Sequence, residues 1–69
     1  MSMNIILNNR PEAIEKNQLT VQELLEYKNF TFKLLVVKIN NLLVKRDQYN
    51  TATISDGDYV TVLHLISGG

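Results

Sequence analysis

Apolar residues take every second position at the start of the chain. Met3, Ile5 and Leu7 alternate with Asn4, Ile6 and Asn8. A period of two predicts a strand with one buried face. Asn8-Asn9-Arg10-Pro11 follows as a turn: Asn tolerates left-handed backbone angles, and Pro11 cannot donate to a ladder, so pairing is expected to stop there. Glu12-Ala13-Ile14-Glu15 returns as a second strand and completes an N-terminal hairpin. Lys16-Asn17-Gln18 reads as a linker.

The period then changes. Thr20-Val21-Gln22-Glu23 predicts a helix start, in which Thr20 caps the free N–H groups and Glu23 reaches back to close a capping box. Leu19 and Leu24 have the spacing of a hydrophobic staple. Val21, Leu24, Leu25 and Lys28 share one face, so three apolar residues point at the core. The helix runs to Tyr27 or Lys28, with Asn29 as a left-handed stop. Two turns cannot hold a helix alone in water, so it must pack on a sheet.

Phe30-Thr31-Phe32 reads either as loop or as the start of the next strand, with both phenylalanines at the rim of the core. Residues 34–39 form an apolar, β-branched run in which Leu35, Val37 and Ile39 alternate with Lys38. Asn40-Asn41 fits a two-residue hairpin turn with positive φ at both positions, and Leu42-Leu43-Val44 pairs back as a further strand. Lys45-Arg46-Asp47-Gln48-Tyr49 is a solvated connection with one aromatic anchor. Ser55-Asp56-Gly57-Asp58 is a tight turn that places Gly57 where other residues are strained. Residues 59–66 are the last strand, and Gly68-Gly69 follow it. The predicted order is strand, strand, helix, strand, strand, strand. A sheet covered on one face by a single helix is an α+β fold.

Composition narrows the chemistry. With 69 residues and no cysteine, the chain is one small domain without disulfides, Cys-ligated zinc or a cysteine nucleophile. That agrees with a reducing cytoplasm. Seven basic and seven acidic residues cancel, so the basic footprint of a nucleic-acid binder is missing. The longest apolar run is Leu34-Leu35-Val36-Val37, far short of a membrane span, and residues 1–4 lack a signal-peptide layout. No nucleic-acid or membrane partner is expected. His64, in phase with Val60 and Val62, reads as packing at a sheet edge rather than as a ligand or base. Asp56 and Asp58 without further ligands make a poor metal site. No phosphate loop, Ser-His-Asp set or paired-carboxylate motif is present, so an active site of the chain's own is not expected.

The distinctive chemistry is at Gly68-Gly69. Two glycines make a thin, flexible tail (residues 67–69) carrying a carboxylate with no side chain beside it. The bland alternative is a frayed end with no role. If Val60 and Val62 face the helix, then Tyr59, Thr61, Leu63 and Leu65 face outward, and Leu63, Leu65 and Ser67 become candidate partner-docking residues beside the tail. The opposite phase would make the two leucines ordinary core.

Several segments carry a resemblance across the whole chain. They are Lys38-Ile39-Asn40-Asn41-Leu42-Leu43-Val44, Arg46-Asp47-Gln48-Tyr49, Asp56-Gly57-Asp58 and Leu65-Ile66-Ser67-Gly68-Gly69, with Thr20-Val21 and Glu23-Leu24-Leu25 at the helix start. In these the chain resembles the ThiS family of sulfur carriers, within the ubiquitin-like β-grasp proteins. The departures are Phe30-Thr31-Phe32, more aromatic than that loop usually is, and Lys45, where many relatives carry proline.

The resemblance implies a single domain over residues 1–69 with a mixed sheet of about five strands on one short helix. It implies a protein cosubstrate rather than an enzyme, with no bound cofactor. A ThiF-like adenylating enzyme would use ATP to activate the Gly69 carboxylate, with Gly68 part of the same site. Sulfur relayed from a cysteine desulfurase would convert it to a thiocarboxylate. A ThiG-like thiazole synthase would take the sulfur for thiamin biosynthesis. MoaD-like carriers of molybdopterin synthesis share the Asp-Gly-Asp turn and the diglycine; their usually greater length favours the thiamin branch. A ubiquitin-like modifier forming isopeptide bonds through Gly69, and a plain binding domain, are the other readings.

Overall fold

The structure is a computed structural model and describes residues 2–30 and 35–64. The alternating start of the chain forms β1 (Met3–Leu7), with Met3, Ile5 and Leu7 buried. Asn8 and Asn9 take φ of 51° and 67°, the two positive angles of a tight hairpin, and β2 (Arg10–Ile14) pairs back antiparallel. Pro11 is therefore inside the ladder opposite Ile6, not its end. It is tolerated because β2 is an edge strand and the Ile6 N–H points away from it, donating to the Asp58 carbonyl at 3.0 Å. The strand also begins and ends earlier than residues 12–15.

The expected linker holds a second departure. Gln18 opens β3 (Gln18–Thr20), which pairs antiparallel with β6 (Thr53–Ser55) in a separate two-stranded sheet. Each contributes one buried residue, Leu19 and Ile54. Helix α1 (Val21–Tyr27) then starts as its sequence requires. The Thr20 hydroxyl accepts from the Glu23 N–H at 3.1 Å, and a Glu23 carboxylate oxygen accepts from the Thr20 N–H at 2.8 Å. That bond, aided by Lys16 at 4.0 Å, holds the Glu23 carboxyl below its ordinary pKa. The other free N–H groups of the first turn also find partners: Val21 donates to the Ala52 carbonyl and Gln22 to that of Tyr49. At the far end Asn29 sits at φ 60° and donates to Glu26, while Phe30 donates to Leu25. This is a Schellman stop. Phe30 packs against the core; Phe32 lies outside the described residues.

The second half supplies β4 (Leu35–Ile39), β5 (Leu42–Val44), a single 3-10 turn (Arg46–Gln48) and β7 (Tyr59–His64). Asn40 and Asn41, at φ 52° and 69°, make the β4–β5 turn. The main sheet runs β2-β1-β7-β4-β5; β7 lies parallel to β1 and antiparallel to β4. The core lies between this mixed sheet and α1. Val21, Leu24 and Leu25 of the helix are buried in one cluster with Val37, Val44, Val60 and Val62 of the sheet. Tyr49 is buried there too, the anchor expected of its polar segment.

Candidate functional site

Strand β7 leads to Gly68-Gly69, and its position is over-determined. Gly57, at φ 87°, turns the chain into it; the Asp58 N–H donates to the Ser55 carbonyl at 3.1 Å. Both flanking carboxylates serve this turn. Asp56 accepts from the Asn4 N–H at 2.6 Å. Asp58 accepts from the Ser55 N–H at 2.8 Å and from the Asn40 amide at 3.1 Å.

The two asparagine turns then clasp the strand from either side. Asn40 accepts the Tyr59 N–H at 2.9 Å through its side-chain oxygen, and the Asn40 N–H donates to the Tyr59 carbonyl at 2.7 Å. On the other side β1 pairs with β7 only at Ile6–Tyr59 and Leu7–Val60. The Asn8 N–H still donates to the Val60 carbonyl at 2.9 Å, and the Asn8 side-chain oxygen then takes the Val62 N–H at 2.8 Å. The side chain extends a ladder that the backbone has left. The Tyr59 hydroxyl donates to the Asn9 side chain. Sequence reasoning saw these asparagines only as turn formers. Nothing local marks a contact 54 residues away.

Burial fixes the phase of β7. Val60 and Val62 are buried, whereas Tyr59 and Leu63 are 40% and 49% exposed and Thr61 is half-buried. Leu63 therefore faces away from the helix. Residues paired across strands share a face, so Ile6 beside Tyr59, Val36 beside Leu63, and Lys38 and Leu43 beside Thr61 lie on the same outward surface. His64 is exposed at the end of β7, opposite Leu35 and beyond the last β1 pair at Leu7–Val60, so it stands where the ladder narrows rather than packing in the core. Leu65, Ser67, Gly68 and Gly69 lie outside the described residues. Among the described residues no group of three or more His, Asp or Glu could hold a metal ion, and no helix is long and apolar enough to cross a membrane.

A five-stranded mixed sheet grasping one short helix, with its last strand in the middle of the sheet, defines a ubiquitin-like β-grasp protein. The crystal structure of a thiamine biosynthesis protein (ThiS) from Geobacter metallireducens superposes with a TM-score of 0.87 at 29% identity, covering 97% of this chain and 100% of that one. A solution structure of a thiamine biosynthesis protein from the same organism gives 0.80 at 29% identity, covering 97% and 88%. The model of the ThiS family matches residues 5–69, and the chain belongs to that family, the small sulfur carriers of thiamin biosynthesis. The sulfur carrier protein ThiS of Bacillus subtilis (strain 168) is 25% identical over 63 residues, 91% of this chain and 96% of that protein. An uncharacterized protein, ycf40, of Trieres chinensis is 28% identical over 61 residues, 88% of this chain and 84% of that one.

Proposed function

We propose that the Gly69 carboxylate is the sulfur-carrying group. A carboxylate oxygen attacks the α-phosphorus of ATP on a ThiF-like adenylating enzyme, and pyrophosphate leaves. The terminal sulfur of a desulfurase-derived cysteine persulfide then attacks the acyl carbon and displaces AMP, giving an acyl disulfide. A second thiol attacks the S–S bond, is itself oxidised to a disulfide, and releases the thiocarboxylate. A ThiG-like thiazole synthase takes that sulfur into the thiazole ring. The chain binds no cofactor of its own in this scheme, and ATP belongs to the partner. The chemistry is placed in the cytoplasm, where ATP and the relay enzymes are at hand.

The observation that carries the reading is the reach of the family match, which runs through Gly68 and Gly69 to residue 69. The chemistry asks for those residues. A carboxylate is a poor acyl donor until it becomes a mixed anhydride, and glycine leaves the acyl carbon open to both attacks. Gly68 keeps the approach equally thin. Docking is assigned to the outward face of β7 through Leu63, and Leu65 and Ser67, which lie outside the described residues, are the further candidates between it and Gly69 in the sequence. An exposed leucine on an uncovered sheet face suits a partner surface.

The test is reconstitution with ATP, magnesium, the adenylating enzyme, a desulfurase, cysteine and a thiol reductant. The C-terminal peptide should gain the mass difference between sulfur and oxygen. Deleting Gly69, or extending the chain with a tag that turns the carboxylate into an amide, should abolish the gain with the fold intact. Sulfur found on either variant would place the chemistry elsewhere.

A further inference from the structure

Among the described residues, the outward face of the main sheet is uncharged with one exception. Asn4 and Ile6 of β1, Pro11 and Ala13 of β2, Tyr59, Thr61 and Leu63 of β7, Val36 of β4 and Leu43 of β5 point there by register. Among the described outward residues of the five strands, Lys38 alone carries a charge. It stands on β4 between Thr61 and Leu43, one pleat along from Val36, and is exposed. The described ion pairs lie elsewhere: Lys16–Glu23 at 4.0 Å and Lys28–Glu12 at 3.0 Å. Exposed Leu43, at 59%, and Leu63, at 49%, lie on either side of it.

A lone ammonium on an uncharged surface is harmless while water covers it. Once a partner covers the face, water is removed and an unpaired charge becomes costly. Either the partner supplies a counter-charge, or the side chain bends to the rim of the contact. Lys38 sits on the second strand from the edge, with β5 outside it, so a partner that covers both Leu43 and Leu63 covers the surface on either side of the lysine.

We propose that the adenylating partner carries a carboxylate, Asp or Glu, that meets the Lys38 ammonium inside an otherwise uncharged contact. The lysine thereby fixes the orientation in which this face docks. The proposal rests on the reading that the outward face is the docking surface. Uncharged contact alone allows many registers, whereas one charge pair within it allows few.

The experiment uses the full chain and the ThiF-like enzyme encoded in the same genome. Affinity is measured by calorimetry at low and high salt for the parent, Lys38→Met, Lys38→Glu and Leu63→Glu, with circular dichroism to confirm folding. Lys38→Met keeps the aliphatic stem and removes the charge. It should weaken binding about tenfold and flatten the salt dependence, and Lys38→Glu should weaken it further. Carbodiimide coupling of the parent complex, which joins amines to carboxylates in direct contact, should link Lys38 to an acidic residue of the enzyme. If both Lys38 variants bind as the parent does while Leu63→Glu fails to bind, the contact is uncharged and the proposal is overturned. If Leu63→Glu also binds normally, the docking reading falls and this inference with it.

Discussion

Replacing Gly57 tests the platform that delivers the last strand. Gly57 is the third residue of the Ser55-to-Asp58 turn at φ 87°, the angle a type II turn demands there. Its N–H is also tied to the Asn4 carbonyl at 2.7 Å, so the turn cannot relax without releasing β1. A Cβ built at this position meets nothing within 4 Å. The cost of a side chain is therefore one of backbone conformation, not of collision. An L-residue held at positive φ costs roughly 1–2 kcal/mol. Alanine recovers about 0.4–1 kcal/mol of that by restricting the unfolded chain. Gly57→Ala should thus destabilise by about 1 kcal/mol. Gly57→Val, with a branched Cβ, should cost about 2–3 kcal/mol. Gly57→Asn should cost least of the three, since Asn already holds positive φ at positions 8, 9, 29, 40 and 41. With a urea slope of about 1 kcal/mol/M, the midpoint should fall by about 1 M for Ala and about 2–3 M for Val. An unchanged midpoint for Val would show that the turn carries no strain. A loss for Asn as large as that for Val would show that side-chain volume, rather than φ, sets the cost.

Two further substitutions probe the clasp and the cap. Asn8→Gly keeps the positive φ and removes the oxygen that accepts the Val62 N–H; it should lower stability by about 1 kcal/mol and speed amide exchange at Val62, and unaltered exchange there would mean the bond does not hold β7. Glu23 has a folded-state pKa below its unfolded value of about 4.3, so its contribution is complete above that value and is lost as pH falls through the folded pKa. Glu23→Gln keeps an acceptor oxygen and does not titrate, so urea midpoints of the parent and variant should converge between about pH 5 and pH 3; parallel profiles would remove Glu23 from the acid response.

Short-range chemistry was the legible part of this chain. Thr20 and Glu23 cap the helix, Asn29 stops it, Asn40-Asn41 turn the hairpin and Gly57 turns into the last strand, each as its residue type requires. In each case the residues that decide the structure are neighbours in sequence. The pairing of β3 with β6 was not legible, because three-residue strands with one buried position each, Leu19 and Ile54, are too short to show a period. Pro11 misled because sequence does not say which strand lies at an edge, and only there does a proline cost no ladder bond. The outward phase of Leu63 was one of two possibilities until Val60 and Val62 were found buried. The grip of Asn8 and Asn40 on β7 was invisible, since each reaches its partner only through the folded sheet.

The central claim is that sulfur travels on Gly69 to a thiazole. The most direct measurement follows that sulfur. The protein is charged with radioactive sulfur from labelled cysteine, purified, and given to the ThiG-like thiazole synthase with its substrates. The account expects label to leave the C-terminal peptide and to appear in the thiazole product in equal amount. Label that never enters Gly69, or that enters it and passes to molybdopterin but not to thiazole, would contradict the account.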